Sequence, residues 1–227
     1  MSTPDGDLEA YLTLPASGSG PGIVVLQEIF GVGGYIREAT ERLAGIGYVA
    51  LAPDLYWRIE PGIAHEHTEA GMGEAFQTAQ QLDHPLAVRD SIAALKALRQ
   101  LPEVTRGKAG VLGFCLGGTL AFEVAVQSDP DTAVCYYGSG IPEMLDRAKE
   151  IRCTVLFHFG GQDPYIPREQ AERVCAFARN ESNMECHIHL DAGHAFDNHE
   201  APMFHQPEPA GRAWAQTTDF LARTLPS

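Results

Sequence analysis

Apolar and polar positions along the chain follow two different patterns. Short, wholly apolar runs alternate with segments in which apolar residues recur every three or four positions. Residues 22–26 read Gly-Ile-Val-Val-Leu, a continuous run of the kind that forms a strand buried on both faces of a parallel sheet. Similar runs predict strands over 48–52, 108–114, 132–137, 154–159 and 184–190, and residues 8–14 predict an edge strand closing at Pro15. Helical spacing falls between them. It covers 36–44, where Gly45 and Gly47 end the pattern, and 87–101, where Ile92, Leu95 and Leu98 make one stripe. Further helices are predicted over 116–127, 168–179 and 210–225, with a shorter one near 143–149. From Trp57 to His84 the pattern dissolves into charged residues, histidine and glycine, which reads as a long excursion holding one short helix.

Repeated β-α units of this kind build a mostly parallel sheet covered by helices on both faces, an α/β fold. The 227 residues show no internal repeat, low-complexity tract or linker and suit a single α/β domain over 1–227. No apolar run is long enough to span a bilayer. The polar, acidic start from Met1 to Leu8 lacks the basic and apolar regions of a signal peptide, so a cytoplasmic protein is expected. A formal net charge of −14 argues against nucleic acid or an anionic membrane as partner. The five cysteines, Cys115, Cys135, Cys153, Cys175 and Cys186, have no regular spacing. They predict neither a disulfide framework nor a zinc site, and a reducing compartment in which some of them are simply small buried residues.

Candidate chemistry begins at Gly113-Phe114-Cys115-Leu116-Gly117-Gly118, directly after a predicted strand. This is a strand-to-helix turn of the form Gly-x-nucleophile-x-Gly with cysteine at its tip. Glycines two before and two after let strand and helix approach closely, and the helix N-terminus favours a thiolate. By itself the hexapeptide fits a reactive thiol and a buried structural cysteine equally well. A thiol needs a base, and the base an orienting acid. Gly161-Gln162-Asp163-Pro164 follows one later strand and Asp191-Ala192-Gly193-His194-Ala195-Phe196 follows the last. The chain order is therefore nucleophile, acid, histidine, that of an α/β-hydrolase triad.

Together with these motifs, Gln27-Glu28-Ile29-Phe30-Gly31, Pro53-Asp54-Leu55-Tyr56 and Tyr136-Tyr137-Gly138 make the chain resemble the dienelactone hydrolase family over nearly its whole length. The resemblance implies an α/β-hydrolase fold and a cysteine hydrolase of a small ester or lactone working through an acyl-thioester. It implies Cys115 as nucleophile, His194 as base, Asp163 as orienting acid and Glu28 as an extra carboxylate that contacts the resting thiol. The backbone amides of Ile29 and Leu116 would form the oxyanion hole. Tyr137 and Trp57 are candidate walls of the substrate pocket, and Phe30 and Phe196 are candidates for substrate contact and for the core alike. No metal or organic cofactor is expected, and the partner would be the small-molecule substrate, with the chain a monomer or homodimer.

The chain departs from the family where a substrate carboxylate would bind. The places of the family's two arginines hold Met72 or a neighbour and Asn198, and neither 65–82 nor 196–206 contains Arg or Lys. Arg58 could reach the cleft from the loop over 53–57, but a surface arginine is the stronger reading. The histidines His65 and His67, and His187 and His189, lack a third ligand at metal spacing. Two other readings of the same residues stay open: a non-catalytic or redox-sensing module built on Cys115, and an enzyme of thioester hydrolysis or acyl transfer.

Overall fold

The computed structural model describes residues 1–3 and 5–227. Its main sheet has seven strands: β1 (Ala10–Thr13), β2 (Gly20–Leu26), β3 (Val49–Pro53), β4 (Val104–Phe114), β5 (Thr132–Tyr136), β6 (Thr154–Gly160) and β7 (Met184–His189). They stand in the order β1-β3-β2-β4-β5-β6-β7. Only the edge strand β1 is antiparallel to its neighbour. Every residue of β2, β3 and β5 is buried, as the continuous apolar runs predicted for strands covered on both faces. Residues 2–3 and 6–7 form a separate small ladder.

The helices are α1 (Gly34–Gly45), α2 (Glu69–Gln81), α3 (His84–Arg99), α4 (Leu116–Gln127), α5 (Arg168–Ala178) and α6 (Pro207–Thr224), with a 3-10 helix over Pro142–Glu150. Successive side chains on a strand point to opposite faces, and β6 shows both layers. Phe157 packs towards Phe122 of α4, while His158 bonds to Thr217 of α6. The layer of α6 also holds α1, joined to it where the Arg42 guanidinium stacks 3.9 Å from the Trp214 ring.

Two expectations are corrected. The excursion after β3 carries a 13-residue helix, α2, rather than a short one. Thr68 caps it by accepting from the Gly71 amide at 3.1 Å, and its apolar face was hard to read because it holds little beyond Met72 and Phe76, four residues apart. Cys175 and Cys186 form a disulfide, although no framework was legible in their spacing. The packing of α5 on β7 brings them together, a contact that sequence separation alone does not reveal. The remaining free cysteines are Cys115, Cys135 and Cys153. Among the described residues no helix is long and apolar enough to cross a membrane.

The order of the strands positions the site. From β2 the chain moves through α1 to β3 on one side, and later returns through α3 to β4 on the other, so the direction of winding reverses between β2 and β4. A crevice opens beyond the carboxyl ends of strands at such a point. Leu26 lies in register with Gly113, so Gln27-Glu28 and Phe114-Cys115 leave the sheet side by side.

On the far face, β5, β6 and β7 bury a polar chain beneath α6. Thr217 bonds to the Tyr136 hydroxyl at 2.7 Å and to His158 Nε2 at 3.0 Å, and His158 Nδ1 meets His189 Nε2 at 3.1 Å. Burial depresses the His158 pKa strongly. It also lowers His189 to about 4, helped by the charges of Arg212 and His187. An unfolded histidine takes up a proton near pH ~6.5, whereas folded His189 stays neutral to about 4. Its contribution is therefore complete above pH ~6.5 and is lost as pH falls from there towards the folded value. His189→Gln keeps a polar partner for His158 but removes this titration. The difference in Tm between wild type and variant should shrink as pH falls from 7 to 5, measured by thermal denaturation. A difference that stays constant across that range would contradict this account.

Candidate active site

Cys115 stands at the tip of the turn between β4 and α4 with φ 55° and ψ −114°, a backbone conformation rarely adopted by a residue with a side chain. The surrounding packing enforces it. A Cβ on Gly117 would lie 2.1 Å from the Leu26 carbonyl oxygen, so the start of α4 rests directly on the end of β2. The Cys115 amide donates to the Tyr136 carbonyl at 3.0 Å, and its own carbonyl accepts from Thr119 at 3.2 Å. The Leu116 N–H, first in α4, has no acceptor within the helix. Cys115 is partly exposed.

His194 and Asp163 reach this tip from loops after β7 and β6. Those loops lie against each other: a Cβ on Gly160 would meet the Gly193 carbonyl at 2.3 Å, and the Gln162 amide donates to the Ala192 carbonyl at 2.8 Å. His194 Nε2 is 3.2 Å from Cys115 Sγ, and its Nδ1 is 2.7 Å from Asp163 Oδ2. The other carboxylate oxygen of Asp163 accepts from the amides of Tyr165 at 2.8 Å and Ile166 at 3.1 Å. Both Asp163 and His194 are buried. Burial works against charge on His194, but attraction to the Cys115 sulfur and the hydrogen bonds to Asp163 and Cys115 outweigh it, and its pKa rises to about 10. An imidazole held this way between a thiol and a carboxylate is built to move a proton to and from sulfur.

Glu28 lies at the same cavity as Cys115, but its hydrogen bond goes elsewhere. Oε2 accepts from Asn198 Nδ2 at 2.6 Å, and Oε1 is buried without a hydrogen-bond partner. Burial raises the Glu28 pKa to about 7; the charge of His194 and the Asn198 bond pull it down, and Asp197 pushes it up. Asn198, which sequence reasoning placed where the family carries an arginine, is thus fully buried and serves Glu28. Asp197 beside it accepts from the Tyr35 hydroxyl at 2.8 Å and from Arg42 at 2.9 Å. That ion pair ties the loop after His194 to α1.

Of the predicted substrate contacts, Phe30 lines the cavity and three others do not. Tyr137 is wholly buried, with its ring 5.2 Å from that of His194 and its hydroxyl 3.4 Å from that of Tyr35. It packs beneath the histidine instead of forming a pocket wall. Phe196 is also wholly buried, against Tyr137 and His189. Trp57 points away from the site, where its Nε1 donates to Asp90 at 2.9 Å and Arg58 stacks on its ring. Asp90 and Asp5 occupy the Arg58 guanidinium, which holds it outside the cavity.

The cavity, of about 300 Å³, is lined by Ile29, Phe30, Leu116 and Thr119, and by several residues sequence reasoning missed. Met72 and Phe76 enter from α2, Phe204 from the loop before α6, and Tyr165 from the loop after β6. The Tyr165 ring stands edge-on to His194 at 4.9 Å. One sequence signal for Tyr165 existed: Asp-Pro at 163–164 marks a turn whose aspartate bonds the amide two residues on. Met72 had one as well, since the resemblance puts it or a neighbour where the family carries a substrate-binding arginine; Phe76 and Phe204 had none. No group of three or more metal-binding side chains was found among the described residues.

The comparisons with known proteins agree with this architecture. The model of the dienelactone hydrolase family matches residues 8–225. A carboxymethylenebutenolidase of Pseudomonas sp. (strain P51) is 37% identical over 228 residues, covering 97% of this chain and 92% of the relative. Another, from Pseudomonas putida, is 38% identical over 188 residues, covering 82% and 79%. Among solved structures, a putative dienelactone hydrolase from Klebsiella pneumoniae superposes with a TM-score of 0.80 at 25% identity, covering 96% of this chain and 94% of its own. A dienelactone hydrolase-like promiscuous phosphotriesterase from metagenomic libraries gives 0.78 at 26%, covering 96% and 93%. With its sheet order, its turn after β4 and this match along nearly its whole length, the chain has the α/β-hydrolase fold and belongs to the dienelactone hydrolase family.

Proposed function

We propose that the protein is a cysteine-dependent hydrolase of a small ester or lactone. The observation that carries this reading is the continuous chain from Cys115 Sγ through the His194 ring to Asp163, at 3.2 and 2.7 Å, opening on the cavity. Cys115 is the nucleophile. His194 holds its proton, and Asp163 fixes the ring with Nδ1 protonated and favours its cationic form.

The thiolate attacks the ester carbonyl and forms a C–S bond. The negative charge moves to the carbonyl oxygen, which the amides of Ile29 and Leu116 receive at the N-terminus of α4. As the intermediate collapses, the C–O bond breaks and the alcohol leaves with the proton from His194. The acyl-thioester then meets water. His194 takes one of its protons, the hydroxide attacks the carbonyl, and the carboxylic acid departs as sulfur regains its resting state. The net change is addition of one water across one ester bond.

Glu28 sets the charge that the sulfur faces. In the proposed resting site its carboxylate adds negative charge to the cavity on which Cys115 opens and repels a second anion there. With its pKa raised to about 7 by burial, that charge is present above about pH 7 and fades below it.

Cys115→Ala should abolish turnover of p-nitrophenyl acetate and the acyl adduct seen by intact-mass spectrometry. Retention of either would refute the mechanism. His194→Gln should lower kcat by roughly 10²- to 10⁴-fold, read in the same assay, and Asp163→Asn by a comparable factor, since it leaves the imidazole without its anionic partner. Glu28→Gln should speed alkylation of Cys115 by iodoacetamide above pH ~7 and change little below pH ~6, where Glu28 is already neutral. Equal acceleration at every pH would point to a packing effect instead.

A further inference from the structure

The cavity beside Cys115 is unusual for what it lacks. Its walls are Phe30, Met72, Phe76, Leu116 and Phe204, with the Tyr165 ring at the edge, and no lysine or arginine among the described residues lines it. Two arginines of neighbouring elements are committed elsewhere. Arg58 is tied to Asp90 and Asp5, and Arg42 to Asp197. His84, the one basic side chain on the wall besides His194, is paired with Glu123 of α4. Of the other polar groups, His194 is held between Cys115 and Asp163, Thr119 and Ser139 are uncharged, and Glu28 faces the same space with Oε1 lacking any hydrogen-bond partner. Asn198, in the loop that follows His194, spends its side-chain amide N–H on Glu28 and its side-chain carbonyl oxygen on the Glu200 amide.

A carboxylate entering such a cavity would give up its hydration for apolar walls and a neighbouring carboxylate, without the forked cation that ordinarily receives it. An uncharged chain or ring would instead bury apolar surface against aromatic and thioether side chains. The rim extends this surface outward, since Phe76 is 40% and Tyr165 49% exposed. We infer that the substrate is an uncharged ester with an apolar acyl group seated against Met72, Phe76 and Phe204, and that carboxylate-bearing esters and lactones are excluded. This rests on the ester-hydrolase reading above and adds the substrate class to it.

Two esters of matched shape test the inference. p-Nitrophenyl 5-methylhexanoate and p-nitrophenyl hydrogen glutarate have acyl groups of equal heavy-atom count, with a pair of methyls in one where the other has a carboxylate. After subtraction of spontaneous release, kcat/KM for the neutral ester should exceed that for the anionic one on the order of 100-fold, because one acyl group is buried as a charge without a partner. Met72→Arg, and independently Phe76→Arg on the exposed rim, should narrow that ratio at least about tenfold by raising kcat/KM for the anionic ester. A wild-type preference below about tenfold, with Cys115 acylated by both esters in intact-mass spectra, overturns the inference and leaves the hydrolase reading standing. So does a ratio unmoved in both arginine variants. If neither ester is turned over or acylates Cys115, the hydrolase reading itself falls and the inference falls with it.

Discussion

The site depends on one close backbone approach, that of α4 upon the end of β2. Because Gly117 has no side chain, the first turn of the helix can rest on the Leu26 carbonyl, and the chain between β4 and α4 must fold into a turn tight enough to force Cys115 to positive φ. Several features follow from that contact. The sulfur is raised above the sheet at the N-terminus of a helix, and the Leu116 amide is left without an intrahelical acceptor beside it. The same contact places the strand that delivers Glu28 next to the strand that delivers Cys115. A larger residue at position 117 would push the two elements apart and separate these groups together.

Around this contact the molecule holds an uneven set of buried charges. Asp163, Asp197 and Glu28 are all buried, while Arg42 reaches in from α1 and is, among the described residues, the only arginine bonded to any of them. Two of the three carboxylates have strong donors: Asp163 has His194 and two amides, and Asp197 has Arg42 and Tyr35. Glu28 has one neutral amide. Its raised pKa is the expected consequence of burying a carboxylate with so little compensation. The proposed mechanism uses that imbalance, since a group that ionises near neutrality can alter the charge beside a thiol without any movement of the fold.

Membership of the family and selection among its substrates rest on different parts of the molecule. The turn, the histidine loop and the aspartate loop are made by strand ends, where packing in the centre of the sheet leaves little freedom. Much of the cavity wall comes instead from α2 and from Phe204 in the loop before α6, segments outside the sheet whose side chains can change without altering the strands. The two carboxymethylenebutenolidase relatives are therefore compatible with a different pocket in this chain.

Strand and helix order, the turn around Cys115 and the positions of Asp163 and His194 were legible in the sequence because each is a local pattern: a buried run, a helical stripe, a motif just after a strand. Phe30, which follows the same strand as Glu28, lines the cavity. Trp57, Phe196 and Tyr137 do not line it, since an aromatic residue near a strand end can face the cavity or the core, and side-chain direction is settled by neighbours distant in sequence. Asp90 draws Trp57 outward, while His189 and Tyr137 enclose Phe196. The Cys175–Cys186 disulfide, the Asn198–Glu28 bond and the convergence of Met72, Phe76 and Phe204 on one cavity likewise join residues whose proximity no spacing encodes. By itself the sequence determined the fold and the order of the reactive groups, because both arise from short-range periodicity and from glycines needed at particular turns. The tertiary structure alone decided what those groups face, because burial, charge compensation and cavity shape are properties of elements packed together.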